Sequence, residues 1–259
     1  MLDKFLKAKE QEILRLQQNR TPEHHLKRFR DSRPGFSRAL LSESPGAIIA
    51  EYKRASPSRG EINLCLSPAE VGSMYQQGGA SAISVLTEEK YFKSKLDYLF
   101  DFQESGLPLL RKDFIFDRLQ IQETATTPAS ALLLITRLFN QADALADCVD
   151  YTQELGMEPV VEVFDHQDLE MARKSGARII QVNNRDLQTL EVDPNISRTL
   201  IHDKDNAETW ICASGLNNAE EKEVMGSLGY DACLIGTSIM ASEDPVQKLR
   251  EFTGNSYKL

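Results

Sequence analysis

The sequence predicts an α/β fold, a (β/α)8 TIM barrel with an N-terminal helical extension. Short apolar runs rich in β-branched residues recur at intervals of about 20–35 residues, which is typical of the buried strands of a parallel sheet. Helical segments separate these runs, and such repeated strand–helix units favour right-handed crossovers. The eight runs are AIIAEY from Ala47, SAISVL from Ser81, LPLLR from Leu107, ALLLI from Ala131, EPVVEV from Glu158, ARIIQV from Ala177, ETWICA from Glu208 and DACLIG from Asp231.

The segments between the runs carry helix signals. Several begin with Ser, Asp or Asn at the N-cap position and end with Gly at the C-cap position. The predicted helical stretches are 67–79, 96–106, 139–156, 165–176 and 217–229. Eight such units in about 215 residues match the size of a closed barrel. A doubly wound open sheet is the alternative, but no GxGxxG motif follows the first run.

The first part of the chain lies outside this repeat. We expect residues 1–46 to form an extension and residues 47–259 to form the barrel, within a single domain overall. Residues 2–16 have helical periodicity, and the segment from Arg33, RPGFSRALLSES, predicts a turn and a short helix. The residues partly on one face of the first helix are Leu2, Phe5, Leu6 and Leu14. The extension either closes one end of the barrel or borders the substrate mouth.

Bulk composition excludes several classes of protein. The net charge of −9 and the pI near 5.1 argue against general nucleic-acid binding. No apolar run approaches the ~18 residues of a membrane span, and the N-terminus has no signal-peptide core, so we expect a cytoplasmic protein. His24 and His25 lie in a polar linker and are expected to be solvated. The cysteines lack zinc or disulfide spacing and predict free thiols; they are Cys65, Cys148, Cys212 and Cys233.

Polar side chains occur at the ends of several runs, where a barrel of this kind carries its catalytic residues. Glu51 and Lys53 are two positions apart, so both point to the same face of the first strand. Lys112 follows the third run, Glu162 lies in the fifth, and Asn183 follows the sixth. Two lysines and two glutamates at one barrel mouth form a coupled charge cluster, which is the arrangement that general acid–base catalysis uses.

Two glycine-containing turns predict a phosphate site. Ser214-Gly215 follows the seventh run and Gly236-Thr237-Ser238 follows the eighth, each just before a helical segment. Glycine lets backbone amides approach a ligand, and helix N-termini present unpaired N–H donors. In this fold the loops after the seventh and eighth strands commonly bind phosphate. The acidic overall charge does not conflict with this prediction, because amides and one or two cations hold a dianion locally.

With these residues laid out, the chain resembles the indole-3-glycerol-phosphate synthase family over nearly its whole length. The motifs that carry the resemblance are EYKRASPSRG from Glu51, SVLTE from Ser84, LLRKDF from Leu109, VVEV from Val160, NNRDL from Asn183, SGL from Ser214 and LIGTSIM from Leu234. EYKRASPSRG and LLRKDF together are highly specific to this family. The resemblance implies a (β/α)8 lyase of tryptophan biosynthesis that needs neither a metal nor an organic cofactor. Its implied partners are a small phosphosugar substrate and, transiently, other enzymes of the pathway.

The implied reaction converts 1-(2-carboxyphenylamino)-1-deoxyribulose 5-phosphate into indole-3-glycerol phosphate with loss of CO2 and water. By resemblance Lys112 is the general acid, while Lys53 pairs with the anthranilate carboxylate or shares the acid role. Glu162 stabilises positive charge on the anilino nitrogen or acts as the base in dehydration. Glu51 assists the dehydration and holds Lys53, and Asn183 orients the anthranilate end.

The resemblance also implies the substrate-binding residues. The expected phosphate and sugar contacts are Ser56, Ser214, Gly215, Gly236 and Ser238, and Arg185 and Thr237 are further expected substrate-binding residues. The expected walls around the aromatic ring are Ser84, Leu86 and Phe114.

Two positions depart from the family pattern. Ala213 stands where the family usually has Glu, and Gln181 stands where it usually has Gly. We hypothesise that the Gln181 side chain fills the volume and part of the hydrogen bonding lost at Ala213.

Two alternative functions remain open at this point. Phosphoribosylanthranilate isomerase shares the phosphate loops but carries a cysteine base at the end of its first strand, where this chain has Glu51-Tyr52-Lys53. The other alternative is an inactive phosphosugar-binding barrel that serves as a binding or assembly partner.

Overall fold

The structure is a computed structural model that describes residues 2–18 and 28–254. His24 and His25, which the sequence predicts to be solvated, lie outside the described residues. No helix in either described range is long and apolar enough to cross a membrane. Within the same ranges, no group of three or more His, Cys, Asp or Glu side chains is arranged to hold a metal ion.

Eight parallel strands close into a barrel in which each strand pairs with its neighbours in sequence and the last pairs with the first. All eight predicted strands are therefore confirmed. The strands are β1 (Ala47–Tyr52), β2 (Ala82–Leu86), β3 (Leu109–Ile115), β4 (Ala131–Ile135), β5 (Glu158–Val163), β6 (Ile179–Asn183), β7 (Thr209–Ala213) and β8 (Ala232–Ile235). A short antiparallel pair, Ala55–Ser56 with Gly60–Glu61, shapes the loop after β1.

Helices surround the barrel and precede it. They are α1 (Leu2–Gln18), α2 (Phe36–Ser42), α3 (Pro68–Gly78), α4 (Tyr98–Asp101), α5 (Arg118–Thr124), α6 (Ala142–Glu154), α7 (His166–Lys174), α8 (Asn195–Leu200), α9 (Ala219–Leu228), α10 (Thr237–Met240) and α11 (Pro245–Thr253). The helix predicted over 96–106 is only partly formed, because α4 gives way to a 3-10 turn at Gln103–Ser105. Helix α5 was not predicted from the sequence, although Asp117 and Gln120 form a capping box at its start.

Side chains along each strand alternate between two apolar cores, one between the barrel and the surrounding helices and one inside the barrel. On β1, Ile48 and Ala50 face the helices, whereas Ala47 and Ile49 face the barrel interior. Because side chains alternate with a period of two, Glu51 continues the interior series at the carboxyl end. The same alternation on the other strands brings their last inward-facing residues to the same end of the barrel.

The two helices of the extension lie at opposite ends of the barrel. In α2, Phe36 and Leu40 are fully buried with the first inward residues of the strands, and the Phe36 N–H donates to the Glu158 carboxylate at the start of β5 (2.6 Å). In α1, the Phe5 ring stacks on Phe114 near the carboxyl end of β3, with centroids 4.2 Å apart. Both interpretations of the extension therefore apply, one to each helix.

The buried face of α1 differs in part from the predicted one. Leu2 and Phe5 are buried as expected, but Leu14 is 54% exposed. Lys9 and Ile13 are buried instead. A lysine at an interior position breaks the apolar pattern from which the face was predicted, and this explains the error.

Lys9 is held by an ion network that joins α1 to β3. Its Nζ lies 2.8 Å from the Asp113 carboxylate, and Arg111 Nη2 lies 3.3 Å from the same group. Burial by itself would raise the pKa of Asp113, but the charges of Lys9 and Arg111 outweigh burial and lower it. Thr87 Oγ1 also donates to Asp113 (2.6 Å). The network fixes the two residues that flank Lys112 in the chain.

Three cysteines are buried and one is exposed, and all four are free thiols, as predicted. Burial raises the pKa of the Cys148 thiol and of the Cys212 thiol, each to about 11. These two groups are packing residues within the fold.

We expect Lys9→Met to lower the free energy of unfolding by about 3 kcal/mol, because removal of one partner leaves a buried carboxylate short of a cation. Denaturant unfolding at neutral pH measures this change. The matched control is Lys4→Met, since Lys4 lies on the exposed face of the same helix. Equal stability of the two variants would contradict a structural role for the buried pair.

Candidate active site

A cavity of about 640 Å³ opens at the carboxyl ends of the strands. All but one of the candidate residues from the sequence analysis line this cavity. They are Glu51, Lys53, Ser56, Leu86, Lys112, Phe114, Glu162, Asn183, Arg185, Ser214, Gly215, Gly236, Thr237 and Ser238. Residues that are distant in the chain thus meet in one place, because successive parallel strands end at the same rim.

Glu51 and Lys53 form an ion pair at the end of β1. Lys53 Nζ donates to Glu51 Oε2 at 2.5 Å, and Glu51 is 3% exposed. Burial alone would raise the pKa of Glu51, but the positive charges of Lys53, Lys112 and Arg185 lower it. Glu51 is therefore a carboxylate at neutral pH, and the acid and the base share one face, as their spacing predicted.

A second lysine–glutamate pair lies across the cavity. Lys112 Nζ on β3 donates to Glu162 Oε2 on β5 at 3.3 Å. Glu162 is 1% exposed and lines the cavity. The amide Nε2 of Gln181, on β6, donates to the same Glu162 oxygen. Two donors from different strands thus converge on one carboxylate oxygen.

The two asparagines at the end of β6 have different surroundings. Asn183 lines the cavity, and its Oδ1 accepts a hydrogen bond from the Arg185 backbone N–H (3.0 Å). Asn184 is buried behind the rim, where its Nδ2 donates to the Ser214 carbonyl (3.1 Å) and its Oδ1 accepts from Ser197 Oγ (2.7 Å). Asn183 is thus available to a ligand, whereas Asn184 holds the neighbouring loop.

Arg185 is a partly buried cation at the rim. Its Nη1 donates to the Leu190 carbonyl at 2.8 Å, which fixes the guanidinium. Burial lowers the pKa of Arg185, with an opposing effect of Glu51. The side chain stays charged, since an arginine pKa begins far above neutrality.

The loops after β7 and β8, which the sequence predicts to bind phosphate, meet at the edge of the cavity. Ser214 and Gly215 both have positive φ, 70° and 82°, so the chain turns tightly directly after β7. A Cβ at Gly215 would lie 2.8 Å from Val192, so a side chain there would collide with the adjacent loop. Ser238 Oγ donates to the Leu216 carbonyl (3.3 Å) and ties the two loops together.

Gly236 is in close contact with the acid–base pair. A Cβ at this position would overlap Glu51 Oε2 and lie 3.0 Å from Glu51 Cβ. Absence of a side chain at Gly236 is therefore what lets the Glu51 carboxylate lie between β1 and β8. The loop after β8 and the first lysine–glutamate pair share this contact.

Several lining residues were not identified from the sequence. Phe5 and Phe92 join Phe114 in an aromatic wall, with the Phe92 and Phe114 centroids 6.4 Å apart. Arg59 also lines the cavity. It lies within the EYKRASPSRG motif but was not predicted as a site residue. Periodicity could show that Phe5 is buried, but no local signal indicates that it packs against a strand more than a hundred residues away.

The structure does not bring Ser84 to the cavity. Ser84 pairs in register with Glu51 on the adjacent strand, but its side chain is fully buried. Its Oγ has no hydrogen-bond partner among the described residues. The expected contact of Ser84 with the aromatic ring therefore has no geometric support. Inward alternation on β2 brings Leu86 to the cavity instead.

The two departures from the family pattern lie on neighbouring strands. Gln181 pairs in register with Ile211, and Asn183 pairs with Ala213. The Gln181 side chain donates its amide hydrogen bond to Glu162 on β5, which lies on the side of β6 away from β7 and Ala213. Whether it also fills volume beside Ala213 stays a prediction, which the Gln181→Gly and Ala213→Glu double-mutant cycle tests through non-additive effects.

Fold and site together define a (β/α)8 barrel protein with a charged cavity at the carboxyl ends of its strands. Its cavity combines two lysine–glutamate pairs with a rim of backbone amides and an arginine, groups that suit an anionic, phosphorylated substrate.

Comparison with known proteins identifies the family. The family model of indole-3-glycerol phosphate synthase matches residues 2–252, and the chain belongs to that family. Its members are carboxy-lyases of tryptophan biosynthesis, so the predicted family and enzyme class are confirmed.

Curated relatives with the same name agree with this assignment. The indole-3-glycerol phosphate synthase of Aquifex aeolicus (strain VF5) is 44% identical over 222 residues, which are 85% of each chain. That of Desulfosudis oleivorans is 39% identical over 239 residues, 90% of each chain. That of Thermoanaerobacter pseudethanolicus is 34% identical over 253 residues, 97% of this chain and 96% of the relative.

Solved structures of lower identity show the same fold. The 3-hexulose-6-phosphate synthase from Salmonella typhimurium aligns with a TM-score of 0.62 at 13% identity, over 81% of this chain and 98% of that chain. The N-acetylmannosamine-6-phosphate 2-epimerase from Clostridium perfringens aligns with a TM-score of 0.60 at 17% identity, over 87% and 98%. These likenesses concern the barrel alone.

We expect Gly236→Ala to lower kcat by about 10²-fold, because the new methyl group displaces the Glu51 carboxylate by roughly 1 Å. Steady-state kinetics with thermal unfolding on the same preparation measures the effect. Gly35→Ala is the control, since a Cβ at Gly35 meets only ordinary contacts at the start of α2. Activity of Gly236→Ala within threefold of wild type would refute the packing argument.

Proposed function

We propose that the chain converts 1-(2-carboxyphenylamino)-1-deoxyribulose 5-phosphate into indole-3-glycerol phosphate, CO2 and water. The observation that carries the proposal is the meeting of both lysine–glutamate pairs in one cavity with the glycine-rich rim. Family membership over residues 2–252 supports the same reaction.

Substrate binding follows from the distribution of charge around the cavity. The phosphate dianion is expected at the backbone amides of the β7 and β8 loops, with Ser56, Ser238 and Arg185 around it. The aryl ring is expected against Phe114 and Leu86, in the more apolar part of the cavity. Phe5 extends this wall from α1.

Lys53 is placed to bind the aryl carboxylate. Its ammonium is already oriented by Glu51 at 2.5 Å, so a second anion approaches a cation with a fixed position. Asn183 offers its free amide to the same end of the substrate. The two ends of the ligand, carboxylate and phosphate, would thereby be held apart across the cavity.

Lys112 is proposed as the acid for ring closure. The aromatic carbon that bears the carboxylate attacks the ribulose carbonyl carbon, and a carbon–carbon bond forms as Lys112 gives a proton to the carbonyl oxygen. Loss of CO2 then restores the aromatic ring. Loss of the hydroxyl group as water, with removal of a proton from the former methylene carbon, completes the indole. Positioned acids and bases typically contribute factors of about 10²–10⁴ to such steps.

The two carboxylates have complementary parts in this scheme. Glu162 lies beside Lys112 and is placed to stabilise positive charge on the anilino nitrogen or to accept the proton in dehydration. Glu51 is ionised, since neighbouring cations lower its pKa against the effect of burial. It therefore holds Lys53 and assists the dehydration as a carboxylate.

The cellular setting follows from the proposed reaction. We place the chain in the cytoplasm as a member of the tryptophan pathway, where it would take its phosphosugar substrate from other pathway enzymes, through transient contacts or free diffusion. Free thiols at all four cysteines support a reducing compartment.

We expect Lys112→Ala to lower kcat for formation of indole-3-glycerol phosphate from the carboxyphenylamino substrate by roughly 10³-fold, with little change in KM. Indole fluorescence measures product formation directly. Lys174→Ala, at an exposed pair on α7, is the control. Full activity of Lys112→Ala would contradict the assigned role. Tight substrate binding without product in the wild-type chain would instead favour the inactive binding barrel.

A further inference from the structure

We propose that Gln181 is a positioning residue for Glu162, which it holds in place from the adjacent strand while Lys112 acts on the substrate. The proposal rests on the proposed function, because the role of Glu162 belongs to that function. Gln181 does not line the cavity, so it acts through Glu162 and without contact to the ligand.

Strand register brings the two side chains together. Glu162 on β5 and Gln181 on β6 are partners in the parallel ladder, and both point into the barrel. Gln181 Nε2 donates to Glu162 Oε2, the same oxygen that accepts from Lys112 Nζ at 3.3 Å. The Glu162 carboxylate therefore accepts one hydrogen bond from Lys112, the proposed acid, and one from Gln181, which has no proposed part in the chemistry.

Packing does not explain a glutamine at this position. Gln181 is fully buried, and the neighbouring inward residues Ile179 and Ile211 are apolar. Its Oε1 has no hydrogen-bond partner among the described residues. A buried amide with an unsatisfied oxygen destabilises a fold relative to an apolar side chain of similar shape. The amide is thus explained by the one bond that it makes, to Glu162.

In the proposed reaction, the hydrogen bond from Gln181 keeps the Glu162 carboxylate in position. When Lys112 turns its ammonium toward the carbonyl oxygen, Glu162 loses that donor at the moment when charge develops on the substrate. Gln181 keeps a donor on the carboxylate and prevents its rotation away from the anilino nitrogen. Misplacement of a catalytic group by about 1 Å commonly costs a large factor in rate.

The test is Gln181→Met, which keeps the shape of the side chain and removes the donor. We expect kcat to fall about tenfold with KM within twofold of wild type, while Tm stays equal or rises because an unsatisfied polar group is gone. Thr152→Val, which removes a buried hydrogen bond within α6, is the matched control. There we expect a lower Tm and an unchanged kcat. Gln181→Asn, whose shorter amide falls short of Glu162, replaces Gln181→Met if that variant does not fold.

A crystal structure of the variant gives a readout that needs no turnover. We expect the Glu162 carboxylate to move from its wild-type position by more than 0.5 Å or to adopt a second rotamer. An unmoved Glu162, a kcat within twofold of wild type, or a loss of kcat that simply follows a lower Tm would each overturn the proposal. Absence of product from the wild-type chain would count against the proposed function alone, because the position of Glu162 still tests the role of Gln181.

Discussion

The contact of the Glu51 carboxylate with Lys53 is the interaction on which the rest of the site depends. Glu51 is buried at the end of β1, and a buried carboxylate is unfavourable unless cations and donors surround it. The bare Cα of Gly236 makes room for it, so the shape of the loop after β8 is coupled to the Glu51–Lys53 pair. From α3, Tyr75 Oη donates to the Glu51 carbonyl (2.9 Å), which fixes the strand end itself.

The extension and the barrel are one functional unit at the substrate mouth. α1 brings Phe5 to the aromatic wall, and its buried Lys9 binds Asp113, the residue after Lys112. Movement of α1 would therefore disturb both the apolar wall and the strand that carries the proposed acid. In contrast, α2 closes the amino-terminal end of the barrel, at the opposite end from the cavity.

Local patterns were sufficient to predict the strands and most of the residues that line the cavity. Glu51 and Lys53 could be assigned to the inner face because strand side chains alternate, and the rim residues because they follow the seventh and eighth runs. Contacts between strands could not be predicted in the same way. The bond from Gln181 to Glu162 depends on the register of β5 against β6, and the burial of Ser84 beside Glu51 depends on the register of β2 against β1. Phe5 reaches the cavity only through docking of a helix remote in sequence.

A crystal structure with the reduced substrate, in which an alcohol replaces the ribulose ketone, tests the central claim most directly. The account predicts the phosphate at the Gly215 and Gly236 loops, the aryl carboxylate within hydrogen-bond distance of Lys53, and the new hydroxyl group beside Lys112. An analogue bound with its carboxylate away from Lys53, or with both ammonium groups outside its reach, would contradict the account.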